Sequence, residues 1–325
     1  TPPIGQTIHF SKTFPTELHP ITHEPYSGFS EIYRQVTANT WQFESDIGKT
    51  EPETWKRQIT ELAISKSNPD IIYAITMGMN PCCPGFQWLL NPRLMKSTTG
   101  FQNGNYGVNK FTEIDLLAGG IPSYTGYALL PAISGIAIHP TNSDIIWITF
   151  VGYSQYHKVY RSDDGGSTWV NDDPNGCLIN LPVNGIVYQD GTDDRLYIAT
   201  DRGVYTKDNN SDWQEYGDLP NVRVVELKIN YCNNSIKVAT FGRGIFEADF
   251  GASSGADMYP ASVAAIVMPP ARMVFADQVP NQRRVLDGTL LQAGSSDPVS
   301  RPLRQTAPCP LSFRRPRDRD GLCRR

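Results

Sequence analysis

Midway along the chain, directly after the apolar–aromatic–polar run Val159-Tyr160-Arg161, stands Ser162-Asp163-Asp164-Gly165-Gly166-Ser167-Thr168-Trp169. Ser, Asp and Thr side chains bond to their own backbone, and glycine accepts the positive φ that a hairpin turn requires. Trp169 then buries a large ring that pins the turn to its neighbour. Ser162, Asp164, Gly166, Thr168 and Trp169 are therefore expected to be structural, and Trp169 is expected to matter most to folding. The pattern speaks to architecture and says little about chemistry.

Around this hairpin the chain repeats itself. Ile59–Ile64, Ile133–Ile138, Val183–Tyr188 and Val224–Ile229 share one apolar alternation, that of a half-buried strand. A second strand follows each: Ile72–Thr76, Ile146–Thr149, Leu196–Thr200 and Lys237–Thr240. The links between the two are turn formers such as Ser67-Asn68-Pro69-Asp70 and His139-Pro140-Thr141-Asn142. A third strand carries the hairpin. Thr206, Asp208 and Trp213 keep its spacing, with Asn209-Asn210 where the glycines stood, and Asn tolerates the left-handed conformation. Ile32-Tyr33 through Thr40-Trp41 reads as an eroded copy, one residue short. Lys96–Gly100 reads as another, interrupted by a Gly/Asn-rich run. From Ile133 to Val183 to Val224 the period is roughly 40–50 residues, that of a four-stranded propeller blade. Short strands without an amphipathic helix favour a propeller over a helical solenoid.

On these residues, 30–250 resemble secreted Asp-box propellers, the group of sialidases, sortilin-type receptor domains and xyloglucanase-like glycosidases. They are most similar to bacterial surface or secreted proteins with BNR or sortilin-like repeats. In those, segments like Thr200–Tyr205 and Thr240–Glu247 close the propeller. The resemblance implies an all-β fold: a partial β-propeller of four-stranded antiparallel blades. It implies an exported or cell-surface bacterial protein, with further blades upstream of Thr1. It carries over no catalytic residue. The Arg-Ile-Pro motif of sialidases is absent, and the eight arginines of the body are too scattered to pick a triad.

Composition changes after Phe250. Residues 1–250 hold 18 basic and 27 acidic side chains, including all ten lysines. Residues 251–325 hold eleven arginines and six aspartates, with no lysine or glutamate. The domain reading is thus 1–250, propeller, and 251–325, a disordered Arg/Ala/Pro-rich tail that cannot offset its ordering entropy. The switch is that of an unrelated or out-of-frame extension rather than a basic arm, so no nucleic-acid partner is expected. No apolar run approaches the roughly 20 residues of a membrane span. The chain opens at Thr1 without Met or signal peptide, as a fragment or processed product would.

Six cysteines lack Cys-x-x-Cys spacing, which argues against zinc. Cys82 or Cys83 could bridge to Cys177 in an exported protein; the alternative is free buried thiols. No cofactor is expected. Asp172-Asp173 and Asp190–Asp194 could offer oxygens to calcium, although solvated turns are the simpler reading. Asp201-Arg202 and Gly242-Arg243-Gly244 recur at matching places and read as architectural.

The best functional candidate is the long insertion 80–107. It sets Phe86, Trp88, Phe101 and Tyr106 among Gly, Asn and Pro. Long loops on a rigid scaffold commonly carry binding. Its aromatics would stack on sugars or dock a partner; the alternative is that Trp88 and Leu89-Leu90 pack over a blade edge. The leading function is non-catalytic binding of a glycan or protein ligand on the propeller face. The alternatives are a glycoside hydrolase fragment and a peptide-binding receptor propeller.

Overall fold

A computed structural model describes residues 15–28, 31–47, 58–77, 92–100, 111–123, 130–178, 181–250 and 259–260, all within one compact unit. The described residues form five four-stranded antiparallel sheets and no helix. The first blade holds β1 (Thr16–Leu18), β2 (Pro25–Gly28), β3 (Glu31–Thr37) and β4 (Thr40–Asp46). The second holds β5 (Ile59–Ile64), β6 (Ile72–Thr76), β7 (Arg93–Ser97) and β8 (Thr112–Ile114). The third holds β9 (Ile133–Ile138), β10 (Ile146–Phe150), β11 (Val159–Ser162) and β12 (Val170–Asn171). The fourth holds β13 (Leu-Pro-flanked Val183–Tyr188), β14 (Leu196–Thr200), β15 (Gly203–Lys207) and β16 (Gln214–Tyr216). The fifth holds β17 (Val224–Asn230), β18 (Ser235–Thr240), β19 (Gly244–Asp249) and β20 (Tyr259–Pro260).

Strand order within every blade follows the chain, and successive first strands contact one another, β1 to β5 to β9 to β13 to β17. This is a propeller. The second strands β6, β10 and β14 are buried at every residue, because both faces of a blade are covered by its neighbours. The apolar cores accordingly lie between blades. One joins Tyr73, Ile75 and Leu94 of the second blade to Ile146, Ile148 and Phe150 of the third. Another joins Trp147 and Val159 of the third to Ile198, Tyr205 and Trp213 of the fourth. A third joins Tyr197 and Tyr216 of the fourth to Leu227, Ile236 and Val238 of the fifth.

The structure differs from the repeat reading in three places. A complete blade precedes the four repeats, and its third and fourth strands meet at Ala38-Asn39, so the eroded copy is a two-residue hairpin. The outermost strand of the fifth blade, Tyr259–Pro260, pairs with Phe246 and Glu247 and comes from beyond residue 250. Asn209 and Asn210 do not take the left-handed conformation; outside glycine, positive φ occurs among the described residues at His23, Asp194 and Asn234. Without positive φ, that turn closes instead by Ser211 N–H donating to the Asp208 carbonyl at 3.2 Å.

The first strands share a further irregularity. Register shifts between Ile59 and Glu61, Val183 and Gly185, and Val224 and Glu226, and opposite Ile133 and Gly135 in β9. Each shift is a β-bulge that skips the second residue: Thr60, Asn184, Val225 and Ser134. Bulges re-aim the side chains around them. They bring Glu61, Gly135, Gly185 and Glu226 to equivalent places.

Candidate functional site

The Ser162–Trp169 hairpin is knitted by side chains. Ser162 Oγ donates to Asp164 Oδ1 at 2.8 Å and accepts the Gly166 N–H at 2.8 Å. Thr168 donates its N–H to Asp164 Oδ1 at 2.8 Å and its hydroxyl to Asp164 Oδ2 at 2.6 Å. Those donors, Thr168 foremost, hold the Asp164 carboxyl down to about 2. Gly165 and Gly166 sit at φ +70° and +101°. Trp169 is 6% exposed and lies in the core between the second and third blades. A Cβ on Gly119 would come within 2.7 Å of its ring, so the preceding connection must carry glycine there.

The second copy keeps the place and rewires the contacts. Thr206 Oγ1 donates to the Leu196 carbonyl at 2.9 Å, and Asp208 pairs with Arg195 at 3.3 Å. Trp213 is 2% exposed. One backbone bond recurs in three blades, tying each hairpin to the first turn of its own blade. Gly100 donates to the Asp70 carbonyl at 2.9 Å, Gly165 to Asp144 at 2.8 Å and Asn209 to Asp193 at 3.0 Å. Lys96–Gly100 thus occupies the same place as the complete hairpin.

The acidic turns are taken up by donors. Asp172 pairs with Lys207 at 2.7 Å, and Asp173 accepts the N–H groups of Cys177 and Leu178 at 2.8 and 3.0 Å. Asp190 pairs with Lys66, and Asp194 takes Arg161 and the Tyr188 hydroxyl. Among the described residues no three acidic, His or Cys side chains form a metal-ligating group. Asp201 braces Asn184 of β13 at 2.9 Å, and Arg202 reaches Asn221 at 3.3 Å. Arg243 stands exposed between Gly242 and Gly244, both at positive φ. Cys177 is held in a disulfide. Phe86, Trp88, Phe101 and Tyr106 lie outside the described residues.

Two groupings escaped the sequence reading. The first is a rim. Antiparallel order puts every second-to-third-strand connection at one end of the ring and every hairpin at the other. The connection end carries Phe241 (72% exposed), Tyr153 (67%) and Tyr156 (61%), with exposed Met77 and Ile245. The insertion read as one binding loop, 80–107, instead contains the regular third strand β7, so that Phe86 and Trp88 precede that strand and Phe101 and Tyr106 follow it. Aromatic faces left in water at one end of a rigid ring can stack on the apolar face of a sugar.

The second grouping is axial. Glu61 of β5 shares its electrostatic surroundings with Glu17 of β1 and with Glu226 and Lys228 of β17. Burial first, then Glu17 and Glu226, lift the Glu61 carboxyl to about 7 against the pull of Lys228. Burial raises Glu17 as well, opposed by Lys228 and Lys66. A Cβ on Gly185, at the register place of Glu61, would meet open space. At the hairpin end Lys66 of the second blade crosses to Asp190 of the fourth at 2.6 Å and sits over the Tyr231 ring of the fifth at 5.7 Å. Such a cluster can hold and release a proton near neutrality.

No protein-family model matches the chain, and no curated protein matches it in sequence. Among solved structures it is similar to the GH74 enzyme of Niastella koreensis, with a TM-score of 0.51 and 17% identity over 75% of this chain. It spans 36% of that enzyme's length. It is also similar to a gluconolactonase of Xanthomonas campestris (TM-score 0.49, 11% identity, 71% of this chain and 70% of that one). YCF48 from Cyanidioschyzon merolae follows (0.46, 13%, 75% and 71%). At these identities the likeness to the first shows the fold alone: a β-propeller.

Proposed function

We propose that this chain is a non-catalytic binding propeller of the Asp-box type, part of an exported multidomain protein, which presents its connection end to glycans or a cell surface. The observation that carries this reading is the gathering of Tyr153, Tyr156 and Phe241, all largely exposed, at one end of the ring. Exposed aromatic side chains on a rigid scaffold suit ligands with both apolar and hydroxyl faces. The Cys177 disulfide fits an oxidising, extracytoplasmic compartment. A glycan array followed by a reducing-sugar assay tests it: retention on the array with no release of reducing ends is the expected result.

One observation favours a second reading, a glycoside hydrolase. Glu61, held near 7 beside Glu17 and Glu226, has the protonation behaviour of a general acid among carboxylates. Release of reducing ends that stops in Glu61→Gln would establish that reading and displace the first.

A further inference from the structure

The connection from β10 to β11 contains a serine–histidine pair that neither reading uses. His157 is 1% exposed, and its Nε2 lies 2.6 Å from the Pro122 carbonyl oxygen. A carbonyl only accepts, so Nε2 carries the ring proton and Nδ1 presents a lone pair. Ser154 Oγ lies 2.8 Å from Nδ1, and its hydroxyl must therefore donate to the imidazole. This is the arrangement of a nucleophile, a base and a group that orients the base. The Tyr156 N–H donates to Ser154 Oγ at 3.2 Å, which steadies negative charge on that oxygen and leaves it one lone pair for attack.

The loop around the pair is braced. Lys158 Nζ donates to the carbonyls of Gly152 at 3.1 Å and Leu181 at 2.6 Å. The Tyr160 hydroxyl donates to the Tyr156 carbonyl at 2.6 Å. Phe150 packs edge-on against the imidazole, 5.9 Å between centroids. Burial pushes the His157 pKa down, which keeps the ring neutral at pH 7. Ser154 itself is half-buried, between the exposed rings of Tyr153 and Tyr156. Among the described residues the N–H groups of Tyr153, Ser154 and Gln155 donate to no backbone carbonyl.

We infer that Ser154 and His157 form an acyl-transfer site for small carboxylic esters, independent of the glycan-binding reading. Ser154 Oγ would attack the ester carbonyl as its proton passes to His157 Nδ1, and the carbonyl oxygen becomes the oxyanion. Collapse expels the alkoxide, which takes that proton from His157 and leaves as alcohol. Water, deprotonated by the same nitrogen, then attacks the acyl-serine. The carboxylic acid departs and Ser154 regains its proton. No redox partner or cofactor enters the balance.

The test treats the protein with a fluorophosphonate probe and maps the adduct by mass spectrometry, alongside p-nitrophenyl acetate hydrolysis. Labelling at Ser154 that is lost in Ser154→Ala, with hydrolysis lost in parallel, is the expected result. His157→Gln should slow both by about 10²-fold or more, the range of general-base catalysis. Because His157 is buried and that variant could unfold, Ser154→Cys supplies a second readout. Its alkylation by iodoacetamide should follow an apparent pKa well below the ordinary thiol value of about 8.5. Absent labelling at Ser154, hydrolysis that persists in Ser154→Ala, or an ordinary thiol profile in Ser154→Cys would each overturn the assignment.

Discussion

The indole nitrogen of Trp213 donates to the backbone carbonyl of Asp172 at 2.9 Å, so the hairpin of the fourth blade is fastened to the end of the third. Trp169 does the equivalent one blade earlier through packing, and its backbone N–H donates to the Gly119 carbonyl at 2.9 Å. The tryptophans thus act between blades, while the Ser, Asp and Thr of the hairpin act within one.

That division predicts unequal costs. Trp169→Ala and Trp213→Ala should each lose about 3–5 kcal/mol, as large core truncations do. Ser162→Ala removes hydrogen bonds at a turn and should cost about 1 kcal/mol. Chemical denaturation of the three variants checks this; matching midpoints would contradict it.

Lys66 offers the opposite case. Its contact with Asp190 is short, but the Lys66 side chain is 52% exposed. Solvated ion pairs contribute about 0–1 kcal/mol. Lys66→Ala should therefore shift the unfolding midpoint far less than Trp213→Ala, and the small loss should shrink further in high salt.

Glu61 predicts a pH dependence. Its folded pKa, about 7, lies above the ordinary value of 4.5. Between those limits the native state binds the extra proton, so stability is greatest below pH 4.5, falls as pH rises to 7 and is level above. Glu61→Gln should flatten that fall. It should be more stable than the parent at pH 8, by about 2–3 kcal/mol. Thermal melts from pH 4 to 8 measure it; identical slopes would contradict it.

Lys158 predicts a slope of opposite sign at higher pH. Burial lowers its pKa to about 8, against an ordinary 10.5. From 8 to 10.5 the unfolded chain holds the proton that the native chain has released, so this group makes stability rise with pH. Lys158→Met should remove that rise in melts between pH 8 and 10.

Much of the fold could be read from residues alone. Ile59–Ile64, Ile133–Ile138 and Val183–Tyr188 are the first strands of their blades with the same bounds in the structure, because each repeats an apolar alternation at blade spacing. Of the first blade only the third and fourth strands show in the sequence, at Ile32–Trp41; its first strand, Thr16–Leu18, is three residues long and mostly exposed, leaving no alternation to find. The site was harder to see. Tyr153 and Tyr156 belong to the third blade and Phe241 to the fifth, and nothing in their local sequence separates an exposed aromatic from a buried one such as Tyr160. Glu17, Glu61 and Glu226 meet only once the ring has curled. Their one signal was positional: Glu61 and Glu226 both stand third in the repeated first strand.

The central claim, that the aromatic rim binds glycan, is tested most directly by titrating a glycan retained on the array into the protein and into its Tyr153→Ala/Tyr156→Ala/Phe241→Ala variant. The account predicts saturable binding to the parent and at least a tenfold loss in the variant, with unchanged melting temperature, since these side chains are exposed. Undiminished affinity in the triple variant would contradict it.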